Sequence, residues 1–429
     1  MKLLTVDTLE EAREKLGRYL KFLPLENETV SLGNSMLSHN ACVLAKDLYV
    51  SSDIPGFRRA TVDGYALVAS DTAAAGESIP VFLRLAGTVI MGEPAGFSIR
   101  SGECAFIPTG GMLPDGADAV IMVEHTERSG ANIAVYEAAA PGSGMVEQGE
   151  DLRKGEMLLR RGTLIRPQEA GALAAAGIMN LFVFAPLKLS LFSTGDELVP
   201  PESSPGPGQI RDINSFALKA LAIKRGYRVV SSRVLPDDEY ALETALREAM
   251  VSSDVIAVSG GSSQGEKDMT AAIINRVARP GVFTHGLALK PGKPTILGWD
   301  DESRTVLAGL PGHPVAAMMV FELLLGWLHD KLLGLPSPFP VPARLSCNVP
   351  GQSGRTVCQS VILHASDPDE KDAVKTEALN TLDAGEYIAE PVFGKSGMIS
   401  TLTRAGGYIL IDRNREGLNK GEKVLVYLM

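Results

Sequence analysis

The segment Asp254–Thr270 reads DVIAVSGGSSQGEKDMT. Its apolar run predicts a short buried strand, and the sequence MTAAIINRVA that follows the glycines is typical of a helix. A strand, a glycine loop and a helix together favour phosphate binding, because free backbone N–H groups and a helix N-terminus attract an anion. Two acids, Glu266 and Asp268, also stand in this loop. The pattern therefore predicts a phosphate compound that is bound beside carboxylates.

The same loop excludes two nucleotide-binding motifs. Gly260 and Gly265 have the P-loop spacing, but Glu266 and Lys267 stand where that motif requires Lys followed by Ser or Thr. The dinucleotide pattern G-x-G-x-x-G is also missing, because the adjacent glycines are Gly260 and Gly261. A nucleotide-dependent kinase is therefore disfavoured. From loop shape alone, a plain strand-to-helix turn is an equal alternative to a phosphate site.

Strands and helices alternate on both sides of the loop, between residues 187 and 333. This alternation predicts a parallel, doubly wound α/β sheet whose ligands bind at the carboxyl ends of the strands. Loops at this edge carry the sequences STGDEL, LPDDE, GGSSQGEKD and LPGHP. Several acids beside an anion site suit a divalent ion shared with phosphate, since Mg²⁺ prefers one or two carboxylates together with phosphate oxygens. For Asp238 and Glu239, however, a helix cap is the better interpretation.

Lysines and prolines mark two further loops of the same domain. Lys290 and Lys293 flank a Pro-Gly turn, and a lysine ammonium suits an oxyanion, although a solvated turn is an equal alternative. Pro311 and Pro314 stiffen the segment LPGHP before a helix. For His313, which lies between them, a helix-start residue without a role in ligand binding is the better interpretation.

Composition limits the cellular context. The chain has 429 residues, 45% of them hydrophobic, and a formal charge of −10, which predicts several soluble domains and disfavours general nucleic-acid binding. Four cysteines without a C-x-x-C pair argue against a zinc ribbon or a disulfide framework and favour a reducing cytoplasm. The most apolar segment contains Glu322, His329 and Asp330, so we expect a buried helix there and no membrane span.

The patterns of apolar runs and turn residues along the chain predict four domains. Residues 1–50 and 145–185 form a helical and linker domain, into which a β-rich domain of residues 51–144 is inserted. The α/β domain covers residues 186–334. Residues 337–429 contain about five β-like runs, which fit a small barrel or a sandwich.

The motifs ATVDGYAL, IPTGGMLPDGADAVIMVE, GEDLRKGE, STGDEL, GQIRDINSFAL, SGGSSQGEKD, KPGKP and LPGHPVAA occur in this order. With them the sequence resembles the molybdopterin molybdenumtransferase family, bacterial MoeA and the gephyrin E domain, along nearly its whole length. The resemblance implies a helical region with an inserted β-domain, an α/β domain like those that adenylylate molybdopterin, and a C-terminal β-barrel. It also implies a homodimer whose active site draws on both subunits.

The implied reaction inserts molybdate into adenylylated molybdopterin, with Mg²⁺-dependent cleavage of the phosphoanhydride and release of AMP. The residues that match functional positions of the family as catalytic are Asp63, Asp151, Glu197, Asp237 and Asp268, of which Glu197, Asp237 and Asp268 are the expected metal ligands. The expected substrate-binding residues are Thr109, Ser259, Gly260, Gly261, Ser262, Ser263, Gly265, Lys290, Lys293, Pro311 and Pro314. Expected partners are a second copy of the chain and, transiently, the molybdopterin adenylyltransferase.

Four positions depart from the family pattern. Ser262 and Gln264 replace two valines of the glycine loop, Val62 replaces a methionine, and His313 stands where asparagine is commoner. These departures leave the choice between molybdate and tungstate open. A gephyrin-like scaffold that binds a partner peptide is the alternative function, and a tungstate-specific insertase is another.

Overall fold

The structure, a computed structural model, describes residues 6–33, 42–260, 264–365 and 387–429, and for residues 264–268 only the backbone. The chain divides into two compact units. The first unit contains Met1–Val43 and Phe182–Met429, and the second contains Leu44–Leu181. The four predicted domain boundaries stay a prediction.

Helices and strands are distributed along the described residues as follows. The α-helices are α1 (Leu9–Gly17), α2 (Pro167–Ala175), α3 (Asn214–Lys224), α4 (Glu239–Met250), α5 (Gln264–Val277), α6 (Pro314–Val320), α7 (Trp327–Leu333) and α8 (Ser400–Arg404). A π-helical segment, Phe321–Gly326, joins α6 to α7, and short 3-10 helices lie at Leu20–Phe22, Ala69–Thr72 and Val123–His125. The strands are β1 (Asn27–Ser31), β2 (Leu48–Tyr49), β3 (Arg59–Ala60), β4 (Gly64–Leu67), β5 (Val81–Thr88), β6 (Glu103–Ile107), β7 (Ala119–Met122), β8 (Thr126–Ser129), β9 (Asn132–Val135), β10 (Met145–Val146), β11 (Met157–Leu159), β12 (Asn180–Phe184), β13 (Lys188–Thr194), β14 (Leu198–Val199), β15 (Ile210–Arg211), β16 (Arg228–Leu235), β17 (Val255–Ser259), β18 (Pro280–His285), β19 (Leu289–Lys290), β20 (Ile296–Asp300), β21 (Thr305–Leu310), β22 (Val341–Leu345), β23 (Val349–Pro350), β24 (Thr356–Ala365), β25 (Tyr387–Pro391), β26 (Gly407–Ile411), β27 (Gly417–Leu418) and β28 (Lys423–Leu428).

The centre of the first unit is a six-stranded sheet with the order β16-β13-β17-β21-β20-β18. Strands β16, β13, β17 and β21 are mutually parallel, which confirms the doubly wound α/β fold for the strands that carry the polar loops. Strand β20 differs, because it runs antiparallel to both β21 and β18. The reason is the short connection from Asp300 to Thr305, since a turn of this length can join only antiparallel neighbours.

Both faces of this sheet are buried. Leu189 and Leu191 of β13 pack into a core that also contains Leu9 of α1 and Leu218 of α3. Phe192 points to the opposite face, where it packs in a second core with residues of α4 and α5. Successive side chains of a strand point to opposite faces, so a continuous apolar run serves both cores.

Helix α1 begins with a capping box. The Thr8 hydroxyl accepts a hydrogen bond from the Glu11 N–H (3.1 Å), and the Glu11 carboxylate accepts one from the Thr8 N–H (2.7 Å). The helix is amphipathic, because Leu9, Ala12 and Leu16 are buried at helical spacing. It ends at Gly17, and Leu20 lies in a separate 3-10 helix, because glycine is a poor helix former.

A nearly continuous helical run follows β21, from α6 through the π-helical segment to α7. Two carbonyl groups of the π-helical segment bind side chains from elsewhere in the chain. The Leu323 carbonyl accepts hydrogen bonds from Arg13 Nε (3.0 Å) and an Arg13 terminal nitrogen (2.7 Å), and the Leu325 carbonyl accepts one from the Tyr227 hydroxyl (2.7 Å). No helix in the described part of the chain is both long and apolar enough to span a bilayer.

The C-terminal part of the first unit is a closed β-barrel. Strands β24, β25, β22, β28 and β26 pair in this order, and β26 pairs back with β24. The barrel is thus confirmed over the sandwich. Strand β19, which precedes the lysine-bearing turn, pairs in parallel with β24 and so joins the barrel sheet to the α/β sequence.

The second unit is built on a six-stranded sheet with the order β7-β4-β6-β5-β9-β8. All neighbours are antiparallel except β5 and β6, which are parallel. This sheet confirms that the segment is β-rich. The Asp63-Gly64 pair, which alone would indicate a turn, leads directly into β4, and a Cβ atom on Gly64 would overlap the Ile121 carbonyl oxygen. Gly64 is therefore required by the close approach of β7.

Candidate functional site at the carboxyl edge

Three parallel strands of the first unit end level with one another. In the register of the sheet, Ser193 of β13 is opposite Ser259 of β17, and Ser259 is opposite Leu310 of β21. The loops that follow these strands therefore leave the same edge of the sheet, as the alternation of strands and helices predicted. We call this edge, from which the loops at Gly195, Gly260 and Pro311 depart, the carboxyl edge.

Glycine backbones touch at the centre of the carboxyl edge. A Cβ atom on Gly260 would lie 2.6 Å from the Thr194 carbonyl oxygen and would overlap the Thr194 hydroxyl. A Cβ atom on Gly312 would lie 3.6 Å from the Gly260 carbonyl carbon. Only glycine fits at position 260, because any side chain there would displace the end of β13. The next substrate-binding predictions, Gly261, Ser262 and Ser263, lie outside the described residues.

Asn214, the first residue of α3, connects two of these loops. Its side-chain nitrogen donates to the Ser259 hydroxyl (2.8 Å) and to the Gly312 carbonyl oxygen (2.7 Å), and the Ser259 hydroxyl donates to the Pro311 carbonyl oxygen (3.2 Å). The Asn214 side-chain oxygen is buried and has no hydrogen-bond partner within the described part of the chain. Sequence reasoning did not single out Asn214. A possible signal was a helix that begins with asparagine, a poor helix former, directly before the apolar run of α3.

A hydrogen bond joins the first two acid-bearing loops. The Asp196 carboxylate accepts a hydrogen bond from the Asp237 N–H (3.1 Å), which joins the loop after β13 to the loop after β16. The Glu197 carboxylate folds back over Gly195, since a Cβ atom on that glycine would lie 2.7 Å from Glu197 Oε2. Glu197 is exposed and Asp237 is half-buried. Both acids thus lie in loops that start beside Thr194, the residue that contacts Gly260.

Two other acids of this edge have different positions. Asp238 is the N-cap of α4, and its carboxylate accepts a hydrogen bond from the Ala241 N–H (2.8 Å), which confirms the helix-cap interpretation. Helix α5 begins at Gln264, so Gly265 and Asp268 lie within its first turns and Asp268 is not a helix cap. The Asp268 side chain lies outside the described atoms. Among the side chains that are described, no three or more His, Cys, Asp or Glu residues form a group that could hold a metal ion.

The lysine-bearing turn has a fixed backbone and exposed side chains. Lys290 is the last residue of β19, and both Lys290 and Lys293 are exposed. Between them, Gly292 packs against α6, where a Cβ atom on the glycine would lie 2.8 Å from Val320. Pro314 is buried at the first position of α6, where proline is favoured because its missing N–H would have no partner there.

In the second unit, Asp63 and Thr109 form a direct pair. One Asp63 carboxylate oxygen accepts hydrogen bonds from the Thr109 N–H (2.6 Å) and the Thr109 hydroxyl (2.8 Å). These two donors lower the pKa of Asp63, because both favour the ionised carboxylate. Both residues are exposed. The structure thus brings together two predicted site residues that are 46 positions apart in sequence.

Asp151 lies in an exposed turn of the same unit, and its N–H donates to the Ile54 carbonyl oxygen (3.1 Å). The turn is fixed by Asp53, whose carboxylate accepts hydrogen bonds from the Lys154 N–H (2.8 Å) and the Gln148 amide (2.9 Å). These bonds lower the pKa of Asp53, the Lys154 N–H contributing most. Sequence reasoning missed Asp53, which no motif marks and which is about a hundred residues away from its partners.

Comparison with known proteins assigns the chain to a family. The molybdopterin molybdenumtransferase of Haemophilus influenzae is 30% identical over 423 residues, which cover 98% of this chain and 98% of that protein. The chain belongs to the MoeA family. Molybdopterin molybdenumtransferase 2 of Mycobacterium tuberculosis is 32% identical and covers 69% of this chain and 74% of its own length. The crystal structure of the molybdopterin biosynthesis MoeA protein of Pyrococcus horikoshii OT3 matches 99% of this chain and 100% of that chain, with 30% identity and a TM-score of 0.80.

Three family models match successive parts of the chain. The MoeA N-terminal region (domain I and II) matches residues 7–177, and the MoeA C-terminal region (domain IV) matches residues 342–429. The model described as "Probable molybdopterin binding domain" matches residues 190–330. The carboxyl edge of this MoeA family member lies wholly within residues 190–330, whereas Asp63, Thr109 and Asp151 lie within residues 7–177.

Proposed function

We propose that this MoeA family member is a molybdopterin molybdenumtransferase, which transfers molybdenum from molybdate to adenylylated molybdopterin and releases AMP. The observation that carries the proposal is the contact of Thr194, Gly260 and Gly312 at the carboxyl edge. It leaves main chain without side chains beside the acid-bearing loops that follow β13 and β16. This combination suits a pyrophosphate group that is bound together with a cation, and named relatives of similar length support the choice of a pterin substrate.

The pyrophosphate of the substrate binds to the loop Ser259–Gly265 in this proposal. Gly260 lets the backbone approach an anion closely, and the 14-residue helix α5 starts within the same loop. The N–H groups of its first turn have no partners inside the helix and favour negative charge. Gly261, Ser262 and Ser263, with Gly265, complete this binding loop.

Lys290 and Lys293 balance the charge of molybdate or of the pyrophosphate. Their ammonium groups are exposed, while the turn between them is fixed against α6. A lysine is a compact point charge, so it stabilises a small dianion without requiring a particular orientation. Pro311 and Pro314 keep the neighbouring loop in place, because proline restricts the backbone.

Glu197, Asp237 and Asp268 hold Mg²⁺ in this proposal. Glu197 and Asp237 supply hard carboxylate oxygens from the two loops that start beside Thr194, and such oxygens fit an ion that also takes phosphate oxygens as ligands. Bound there, Mg²⁺ would neutralise charge that develops when the phosphoanhydride is cleaved. The protein's own contribution is to fix the two acid-bearing loops relative to each other, through the hydrogen bond from the Asp237 N–H to the Asp196 carboxylate.

Asp63, Thr109 and Asp151 act in the same reaction from the second copy of a homodimer. The support for this assignment is the rigid pairing of Asp63 with Thr109, which keeps the carboxylate ionised and its position fixed. We expect sedimentation to show a dimer, and a stable monomer with full activity would contradict the shared site. A transient contact with the adenylyltransferase that supplies the substrate is expected for the same reaction sequence.

The direct test is incubation of the protein with adenylylated molybdopterin, Mg²⁺ and molybdate. We expect AMP release and the formation of cofactor that activates a molybdenum-free apoenzyme, both dependent on molybdate and on Mg²⁺. Parallel incubations with tungstate establish the oxyanion preference. Release of AMP that does not require molybdate, without active cofactor, would reject the transferase proposal.

A matched pair of adjacent acids sharpens this test. Asp237→Asn removes a charge from the proposed metal site and should lower AMP release by about 10²–10³-fold. Asp238→Asn removes the same charge one residue away, but asparagine is an equally good N-cap for α4, so activity should stay near that of the wild type. Equal activity of the two variants would exclude Asp237 from the metal site.

A further inference from the structure

A turn of the C-terminal barrel is attached to the carboxyl edge. The turn, residues 394–398 with the sequence GKSGM, lies between β25 and α8 and is closed by a hydrogen bond from the Met398 N–H to the Lys395 carbonyl oxygen (2.9 Å). Ser396 at its centre makes one hydrogen bond to the loop after β21 and one to the first turn of α6. Its hydroxyl lies 2.9 Å from Nδ1 of His313, and its carbonyl oxygen accepts a hydrogen bond from the Val315 N–H (3.1 Å).

His313 occupies the N-cap position of α6 but does not cap the helix with its side chain. The imidazole is directed to the barrel turn, where a Cβ atom on Gly397 would lie 3.5 Å from its Cδ2 atom. The bond from Val315 to Ser396 satisfies one of the first N–H groups of α6, which have no partner within the helix. The Ser396 carbonyl oxygen thus takes the place of the missing side-chain cap, and the hydrogen bond between Ser396 and His313 is the second contact of the turn with this segment.

This attachment is next to the centre of the carboxyl edge. His313 directly follows Gly312, whose backbone contacts Gly260 and whose carbonyl oxygen accepts the hydrogen bond from Asn214. A displacement of the barrel turn would therefore be transmitted through one peptide unit to the loop that contacts the glycine. Small displacements of positioning groups matter for rate, since misplacement by about 1 Å can cost about 10²-fold.

We propose that His313 is a positioning residue of the transferase reaction, which holds the barrel turn 394–398 against the carboxyl edge through the bond between its Nδ1 atom and Ser396. The inference rests on the proposed function for its effect on rate, but the attachment itself is independent of any substrate. In this role the imidazole does not touch the substrate. Its Nδ1 atom is needed, and its Nε2 atom is not.

The two ring nitrogens can be distinguished by substitution. In His313→Asn the side-chain amide occupies nearly the place of Nδ1 and can still bond to Ser396, whereas in His313→Gln the amide reaches the place of Nε2. We expect kcat/KM of His313→Asn to stay within about threefold of the wild type. His313→Gln, His313→Ala and Ser396→Ala should each lose on the order of tenfold or more, and combining His313→Ala with Ser396→Ala should add little further loss, as for two residues that share one interaction.

Hydrogen exchange of the Val315 N–H, measured on the full-length protein without substrate, tests the attachment separately. His313→Ala and His313→Gln should exchange this proton several-fold faster, and His313→Asn should not, because a hydrogen bond contributes about fivefold to tenfold in such equilibria. Unchanged exchange in His313→Ala would overturn the attachment. Faster exchange with full activity, or a loss of activity in His313→Asn as large as in His313→Ala, would overturn the positioning role. An inactive wild-type protein would instead reject the proposed function.

Discussion

Replacement of Asn214 by alanine separates the geometry of the carboxyl edge from the stability of the fold. The variant loses the hydrogen bonds to Ser259 (2.8 Å) and to the Gly312 carbonyl (2.7 Å), each worth about 1 kcal/mol net. It also removes the buried side-chain oxygen that has no partner in the described structure, which relieves a cost of about 1–3 kcal/mol. These contributions nearly cancel, so we expect the free energy of unfolding to change by no more than about 1 kcal/mol.

Activity should respond far more strongly than stability to Asn214→Ala. Without the amide, only the hydrogen bond from the Ser259 hydroxyl to the Pro311 carbonyl (3.2 Å) still joins the loops that begin at Gly260 and Pro311, and a displacement of about 1 Å can reduce turnover by about 10²-fold. Asn214→Asp should behave similarly, because a carboxylate cannot donate to the Gly312 carbonyl. AMP release from adenylylated molybdopterin measures the loss of activity, and denaturant unfolding measures the change in the free energy of unfolding.

The control is the next residue of the same helix. Ser215→Ala removes a buried hydrogen bond to the Ser193 hydroxyl (3.0 Å), which should cost about 1 kcal/mol of stability but leave Ser259 and Gly312 connected. We therefore expect near-normal AMP release from Ser215→Ala. If Asn214→Ala keeps at least half of the wild-type activity, or if both variants lose activity in proportion to stability, the reasoning is refuted.

Three further predictions concern other parts of the chain. Thr109→Ala should raise the pKa of Asp63 towards its ordinary value, because one of two donors to the ionised carboxylate is lost, whereas Thr109→Ser should not; NMR titration of the carboxyl group measures this. Tyr227→Phe leaves the buried Leu325 carbonyl without its donor and should lower the free energy of unfolding by about 1–3 kcal/mol in denaturant titrations. Lys290→Ala should raise the molybdate concentration needed for half-maximal transfer more than it weakens pterin binding, and the opposite result would assign the lysine to the pyrophosphate.

Much of the candidate site could be predicted from the local sequence. A buried strand followed by glycines and a helix has few possible structures, so the loop after β17 and the shared edge of the parallel strands could be predicted from apolar patterns alone. The helix-cap role of Asp238 was equally accessible, because it depends on hydrogen bonds within four residues. The start of α5 was less predictable, since Gln264–Asp268 contains a glycine and charged residues that suit a loop as well as a helix.

The sequence by itself determined the α/β alternation, the β-rich character of the flanking segments and the family, because periodicity and ordered motifs are properties of the chain in one dimension. Only the tertiary structure decided that β26 closes onto β24, that Asn214 joins Ser259 to Gly312, and that Ser396 is bound to His313. Each of these contacts links residues 45 or more positions apart and leaves no periodic trace in the sequence. Such contacts form only after the hydrophobic cores have brought the strands and loops together, and local propensity therefore carries no information about them.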